Sequence, residues 1–275
     1  MKKYSVLMSI YIKEKPNYLR QSIDSMLNQT VIPDEIVIVK DGPLTEELEE
    51  VLKEYKDKYP ELFNIVVSEK NLGLGLALNL GLNNCANELV ARMDTDDISL
   101  PERCEKQLEL FQQDASLSLL GGNISEFIVD ETNIVARRIV PSCNEKIGEY
   151  LKSRCPFNHM TVMFKKSEVL KVGSYQDWFW NEDYYLWIRM FEAGCKFGNL
   201  SDILVNVRVG ADMYKRRGGS KYFKSEAALQ KYMLEKKIIG FKRYLLNVGI
   251  RFILQVVMPN SMRGFVFKKF ARRKV

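Results

Sequence analysis

The sequence predicts an α/β fold, a mixed but mainly parallel sheet flanked by helices, followed by a basic helical extension. Three observations predict it. Short runs of Val, Ile and Leu alternate with stretches of helical periodicity through the first hundred residues, the pattern of βαβ units. Polar and acidic residues recur just after these apolar runs, at Glu14, Asp41, Asn71 and Asp94. Charge is also divided along the chain: residues 1–214 carry 24 Lys and Arg against 33 acids, and residues 215–275 carry 17 against two.

The elements follow in order. Tyr4 to Ile10 is rich in strand formers and nearly continuous in apolar character, as a strand covered on both faces should be. Tyr18, Leu19, Ile23, Met26 and Leu27 then recur at helical spacing and stop at Asn28-Gln29-Thr30 and Pro33. Glu35 to Lys40 is a second buried strand, halted by Asp41-Gly42-Pro43. Thr45 caps a polar helix from Glu46 to Lys58. Phe63 to Ser68 gives a third strand, Leu74 to Asn84 a helix and Leu89 to Met93 a fourth strand. Further on, segments near Glu126 and Ile134 form a hairpin turning at Asp130 to Asn133. Asn181 or Glu182 starts a helix whose apolar face is Leu186, Trp187, Met190 and Phe191. Ile203 to Val207 is a strand, and helices run from Ser220 to Lys237 and from about Phe241 to Val257.

With 275 residues, 46% hydrophobic and 28% charged, the chain can bury a substantial core and is not of disordered type. Five widely spaced cysteines include no Cys-x-x-Cys pair, which argues against a disulfide framework or zinc site and for a reducing compartment. The apolar segment after Met1-Lys2-Lys3-Tyr4 is too short for a cleaved signal peptide, so the expected location is cytoplasmic. Gly73-Leu74-Gly75 lacks the third glycine of a dinucleotide fingerprint, and no Gly-x-x-x-x-Gly-Lys-Ser/Thr loop occurs; NAD and P-loop chemistry are set aside.

In parallel sheets ligands bind outside the carboxyl ends of the strands, where Tyr11, Glu14, Asp41, Asn71, Gly73 and the Asp94 cluster would line up. Asp94, Asp96 and Asp97 place three carboxylates within four residues. Like charges so close repel and call for a cation. Hard oxygen ligands suit Mg²⁺ or Mn²⁺, and an ion held by one or two of them keeps positions open for phosphates. The competing reading is an Asp-rich turn with a helix cap at Ser99.

The series Ser9-Ile10-Tyr11-Ile12-Lys13-Glu14, Leu27-Asn28-Gln29-Thr30, Val39-Lys40-Asp41-Gly42, Asn71-Leu72-Gly73, Met93-Asp94-Thr95-Asp96-Asp97 and Trp180-Asn181-Glu182-Asp183 resembles family 2 glycosyltransferases, which have the Rossmann-like GT-A fold. Val39 to Leu44 and Asn158 to Phe164 resemble the bacterial members that build capsular, exopolysaccharide or lipopolysaccharide repeat units. The resemblance covers about residues 4–208. It implies an inverting transfer from a nucleotide sugar, usually UDP-linked, to a hydroxyl of a glycan or lipid-linked glycan. It also implies donor contacts from Ser9, Tyr11, Glu14, Asp41, Asn71, Gly73, Asp94, Thr95 and Asp96, with Asp41 near the base and Asp94 and Asp96 reaching ribose and metal. Asp97 is implied as a metal ligand or its support. Relatives often have Asn at Ile12 and Arg at Leu78, so this chain must make base and phosphate contacts in another way.

Following the family's acidic pair, Asp183 is expected to be the general base and Glu182 to bind or orient the acceptor; capping of the helix by these carboxylates is the plainer reading. Trp178, Phe179 and Trp180 are candidates to stack on a sugar or to pack in the core. His159, the single histidine, has three roles open: metal ligand, phosphate contact or a loop hydrogen bond. After Val207, the basic, glycine-containing loop with Arg208, Arg216 and Arg217 is placed to close over a diphosphate.

The expected organisation is a GT-A domain over 1–214, with a nucleotide-sugar half (1–100) and an acceptor half (101–214), then the basic tail 215–275. Tyr244 to Met258 is mostly apolar, with Arg251 its only charge, and too short to span a bilayer. It is expected to lie on the inner membrane face, the alternative being packing on the catalytic part or a second subunit. An oligomer stays open. A basic module for RNA or DNA would explain the tail but not the carboxylates, and no nucleic-acid-binding signature occurs, so no nucleic-acid partner is expected. A sugar-phosphate nucleotidyltransferase would need a glycine-rich, arginine-bearing N-terminal loop that this chain lacks.

Overall fold

The computed structural model describes residues 3–210 and 218–259. Its first third is a parallel sheet built as the alternating pattern requires. β1 (Tyr4–Ile10), β2 (Glu35–Asp41), β3 (Phe63–Ser68) and β4 (Leu89–Arg92) stand in the order β3-β2-β1-β4 and pair in parallel. Connecting them are α1 (Pro16–Leu27), α2 (Glu46–Lys58) and α3 (Leu74–Asn84). Thr45 caps α2 by accepting from Leu48 N at 3.4 Å. Parallel pairing puts the loops after Ile10, Asp41, Ser68 and Arg92 on one edge, so the polar residues that follow each strand become neighbours.

The second half continues the same sheet with mixed pairing. β8 (Met163–Lys165) lies antiparallel to β4 and to β6 (Leu117–Phe127), and β6 pairs in parallel with the long β9 (Lys196–Arg208). β7 (Ile134–Arg138) forms the expected hairpin with β6, and Asn133 N donates to Asp130 O at 2.9 Å in its turn. β9 is much longer than the predicted Ile203 to Val207 because β6 pairs along nearly all of it. β5 (Ile98–Ser99) closes the far edge against β9. Ser99 is therefore a buried strand residue, not a helix cap: its Oγ accepts from Gln29 Nε2 at 3.1 Å. α4 (Arg103–Gln113) begins four residues later, and Gln29 Oε1 accepts from its Cys104 N at 3.1 Å.

Two apolar cores cover the two faces of the sheet. One joins Val6, Met8, Ile36, Ile38 and Ala91 to α1, α2 and α4; the other joins Leu7, Val37 and Val90 to α3 and α7 (Glu182–Glu192). Successive strand residues thus point to opposite faces, and both are covered. α5 (Asn144–Leu151) and α6 (Lys166–Lys171) pack beside α7. Beyond residue 217, α8 (Ser220–Glu235) and α9 (Phe241–Phe252, continued by a wide turn over Ile253–Val257) form a hairpin against the second core. Among the described residues no helix is long and apolar enough to cross a membrane.

Candidate active site

The first part of the site is built by Asp41 at the end of β2. Its buried carboxylate accepts from Leu72 N at 2.5 Å, Gly73 N at 3.1 Å and Asn71 Nδ2 at 3.0 Å. The loop that opens α3 is thus fastened to the strand end, and Asp41, Asn71 and Gly73 form one unit. Gly42 makes the closeness possible: its φ is +88°, and a Cβ there would stand 2.8 Å from Asn71 N. Ser9 is half-buried at the end of β1, and Tyr11 and Ile12 are exposed just beyond it. Leu78 is fully buried in the second core, so it makes no surface contact.

Asp94, Asp96 and Asp97 converge after β4, one carboxylate oxygen from each lying within 4.8 Å of the others. Thr95, buried between them in sequence, donates to Glu14 Oε2 at 2.7 Å and ties the loop after β1 to the cluster. Burial, and then Asp94 and Glu14, push Asp96 up to about 7; burial, with Asp96 and Asp94, holds Asp97 well above the ordinary carboxylate range. Such a cluster is short of positive charge, and its hard oxygen donors fit a divalent cation. His159 is not in this group. Its Nε2 lies 2.9 Å from Tyr175 Oη and its ring packs edge-on to Trp187. Burial, then Arg92, drive its pKa well below the ordinary value, so it is neutral.

Arg92 sits beneath the cluster in β4. It is 2% exposed, it is paired with Asp94, and its Nε and Nη1 have no hydrogen-bond partner among the described residues. It opposes the rise that burial causes in Asp96, Asp97, Glu182 and Asp183, so one buried cation acts on both acidic groups. Sequence reasoning missed it, although a charge in the otherwise apolar run Leu-Val-Ala-Arg was the signal.

Arg208 ends β9 above the same cluster. Its N donates to Asp97 Oδ1 at 2.9 Å, its Nε to Asp96 O at 3.1 Å and its Nη2 to Gln21 Oε1 at 2.6 Å. The guanidinium lies over the rings of Tyr18, at 3.9 Å, and Phe127, at 4.6 Å. Arg216 and Arg217 lie outside the described residues.

The second acidic pair opens α7. Asp183 Oδ1 accepts from Tyr184 N at 2.6 Å, and Cys155 Sγ lies 3.7 Å from Oδ2. Burial raises Asp183, while Tyr184 N–H, Arg92 and Arg138 oppose the rise. Burial, and next Asp183, push Glu182 up to about 7. Gly75 in α3 lets the two halves approach: a Cβ there would lie 3.0 Å from Glu182 Cβ and 2.9 Å from Gln176 O. Trp178 is tied into the protein, its Nε1 donating to Ser225 O at 3.2 Å and its ring 4.1 Å from Tyr185. Trp180 is 50% exposed with φ +56°, a backbone region that bulky residues rarely occupy, and stacks on Phe179.

Nearly the whole chain has counterparts among known proteins. The model of the family described as Glycosyl transferase family 2 matches residues 5–179. The amylovoran biosynthesis glycosyltransferase AmsE of Erwinia amylovora is 43% identical over 97% of this chain and 98% of its own length. The chain belongs to glycosyl transferase family 2. A second member, the UDP-Gal:alpha-D-GlcNAc-diphosphoundecaprenol beta-1,3-galactosyltransferase of Escherichia coli, is 38% identical over 98% of this chain and 97% of its own. The solved mannosyltransferase PcManGT of Pyrobaculum calidifontis, in complex with GDP-Man and Mn²⁺, superposes with a TM-score of 0.63 at 13% identity. It covers 98% of this chain and 75% of that one and establishes the shared GT-A fold. The chain is thus a glycosyltransferase in which the acidic cluster and the pair on α7 flank one buried arginine.

Proposed function

We propose that this glycosyltransferase moves a hexose, with inversion, from a UDP-sugar to a hydroxyl of a lipid-diphosphate-linked sugar during surface-polysaccharide synthesis, at the inner face of the cell membrane. The observation that carries the reading is that two acidic groups from distant parts of the sequence share one buried arginine: Arg92 acts electrostatically on Asp96 and Asp97 and on Glu182 and Asp183. The galactosyltransferase activity for which the E. coli relative is named supports the donor and acceptor classes.

In this reading Asp41 and the Asn71–Gly73 loop hold the nucleoside with Ser9, Tyr11 and Glu14. Asp94, Asp96 and Asp97 would hold Mn²⁺ or Mg²⁺, and Thr95 keeps Glu14 turned toward them. When bound, the cation neutralises charge developing on the departing diphosphate. Arg208 acts through its hold on Asp96 and Asp97, and Arg216 and Arg217 supply further positive charge to the diphosphate. Asp183 takes the proton of the acceptor hydroxyl as that oxygen attacks the donor carbon from the face opposite the diphosphate. Glu182 orients the acceptor. His159, neutral and bonded to Tyr175, supports the wall under the cleft in place of a charged contact.

The test is to incubate the protein with a series of UDP-sugars, Mn²⁺ or Mg²⁺ and a GlcNAc-diphospho-lipid analogue. The expected result is UDP release coupled to a β-linked disaccharide lipid. Release of pyrophosphate, or retention of the α configuration, would overturn the reading.

A further inference from the structure

An ordinary surface helix turns its apolar stripe inward, since burial of apolar area contributes about 25 cal/mol per Å². Helix α9 with its terminal turn, residues 241–257, does the reverse. Asn247, Arg251 and Gln255, spaced by four residues, face the protein and are 5%, 9% and 5% exposed. Asn247 Nδ2 donates to Lys152 O at 2.9 Å and Gln230 Oε1 at 2.7 Å. Arg251 Nη2 donates to Ser153 O at 2.7 Å, and its Nε pairs with Glu226. The opposite arc holds Phe241, Leu245, Leu246, Ile250, Ile253 and Val257, which are between 47% and 62% exposed. An apolar arc running about 25 Å along a helix marks a surface that is covered in use.

Charge identifies what covers it. From Lys236 to Val275 the sequence contains 11 Lys and Arg and no Asp or Glu. The exposed Lys242 and half-buried Arg243 belong to the helix itself. A second copy laid against the arc would bring like charge against like charge. An anionic lipid surface meets both demands, taking apolar side chains at the acyl boundary and cations among its headgroups.

We propose that α9 is an interfacial docking helix whose apolar arc lies in the plane of an anionic lipid leaflet. The consequence for the site is direct. Ser225 of α8, the partner helix of the hairpin, accepts from Asn181 Nδ2 at 3.0 Å and donates to Phe179 O at 2.6 Å. Asn181 stands immediately before Glu182 and Asp183, so the docked hairpin holds the catalytic pair close to the leaflet that carries a lipid-linked acceptor. This deepens the function proposed above and rests on it for its purpose, though not for its physics.

The test floats the full chain with vesicles of phosphatidylethanolamine and phosphatidylglycerol, and with neutral phosphatidylcholine vesicles. Wild type should float with the anionic vesicles, and less so as salt is raised. Leu246→Glu with Ile250→Glu should lower that partition about tenfold or more, with an unchanged Tm and unchanged transfer to a water-soluble acceptor. Leu246→Ser should fall between. Wild type that stays with the buffer, a double variant that floats equally well, or a dimer in solution that the double variant dissolves, would each overturn the proposal. Flotation without transfer from the UDP-sugars to the lipid-linked acceptor would leave docking standing and remove the donor and acceptor proposed above; transfer without flotation would do the opposite.

Discussion

Arg92 is paired with Asp94 from inside the sheet, while its Nε and Nη1 are buried and have no hydrogen-bond partner among the described residues. A guanidinium buried this far stays charged, and its field reaches both acidic groups. Arg92→Gln should therefore leave Asp94 and Asp97 unbalanced, at a cost of about 3–5 kcal/mol of stability, the usual penalty for removing one member of a buried pair. Urea denaturation measures this, and a midpoint equal to that of wild type would remove Arg92 from the centre of the site.

Asp183→Asn keeps the shape of the side chain and removes its basicity. Turnover should fall by about a hundred- to ten-thousand-fold while donor affinity stays near wild type. Single-turnover kinetics alongside calorimetry with UDP-sugar separates the two quantities. Near-normal turnover would assign the base elsewhere.

Asp96→Ala and Asp97→Ala should each weaken donor binding in the presence of Mn²⁺ and have little effect once the metal is chelated. Titration calorimetry with and without chelator gives the comparison. Asp97→Ala should also disturb thermal stability, because Arg208 N loses the acceptor that fastens the end of β9.

The raised pKa values fix the sign of the pH response. A base works only when ionised, and burial raises Asp183 above the ordinary carboxylate range, so transfer should fall on acidification sooner than for an exposed carboxylate; beside it, burial and Asp183 push the proton of Glu182 up to about 7. Stability runs the other way. The folded state holds this proton more tightly than the unfolded chain, whose value is 4.5, so the fold loses stability as pH rises from about 4.5 to about 7. Glu182→Gln should flatten that part of the stability curve, which thermal melts across pH will show.

Gly81 in α3 faces the sheet with no room to spare: a Cβ would stand 2.5 Å from Leu7 Cδ1 and 2.6 Å from Val39 Cγ2. Gly81→Val should cost about 1–3 kcal/mol through overpacking and lower the Tm. Gly249→Ala in α9, where a Cβ meets nothing within 4 Å, is the matched control.

Much of this architecture was legible in the residues themselves. Thr45 and the polar run behind it give α2 its observed bounds, and Leu74 to Asn84 is helical as its periodicity requires. Acidic residues after successive apolar runs pointed to one functional edge because parallel pairing leaves no other arrangement. What stayed hidden lacks a local signal. The parallel pairing of β6 with β9 joins segments about 80 residues apart, and no short-range pattern encodes it. Arg92 was passed over because the second acidic group it acts on, Glu182 and Asp183, lies about 90 residues further along the chain. For α9 the composition showed an apolar helix, but only packing reveals that Asn247, Arg251 and Gln255 take the inward side.

The bond between Asn181 and Ser225 has a practical consequence for anyone shortening this enzyme. A cut after residue 214 looks natural from the change in composition, yet it strips Trp178 Nε1 of its acceptor and the start of α7 of its brace. The truncated protein would retain its nucleotide grip and lose the aim of its proton acceptor, so tight donor binding with idle chemistry is the signature to look for.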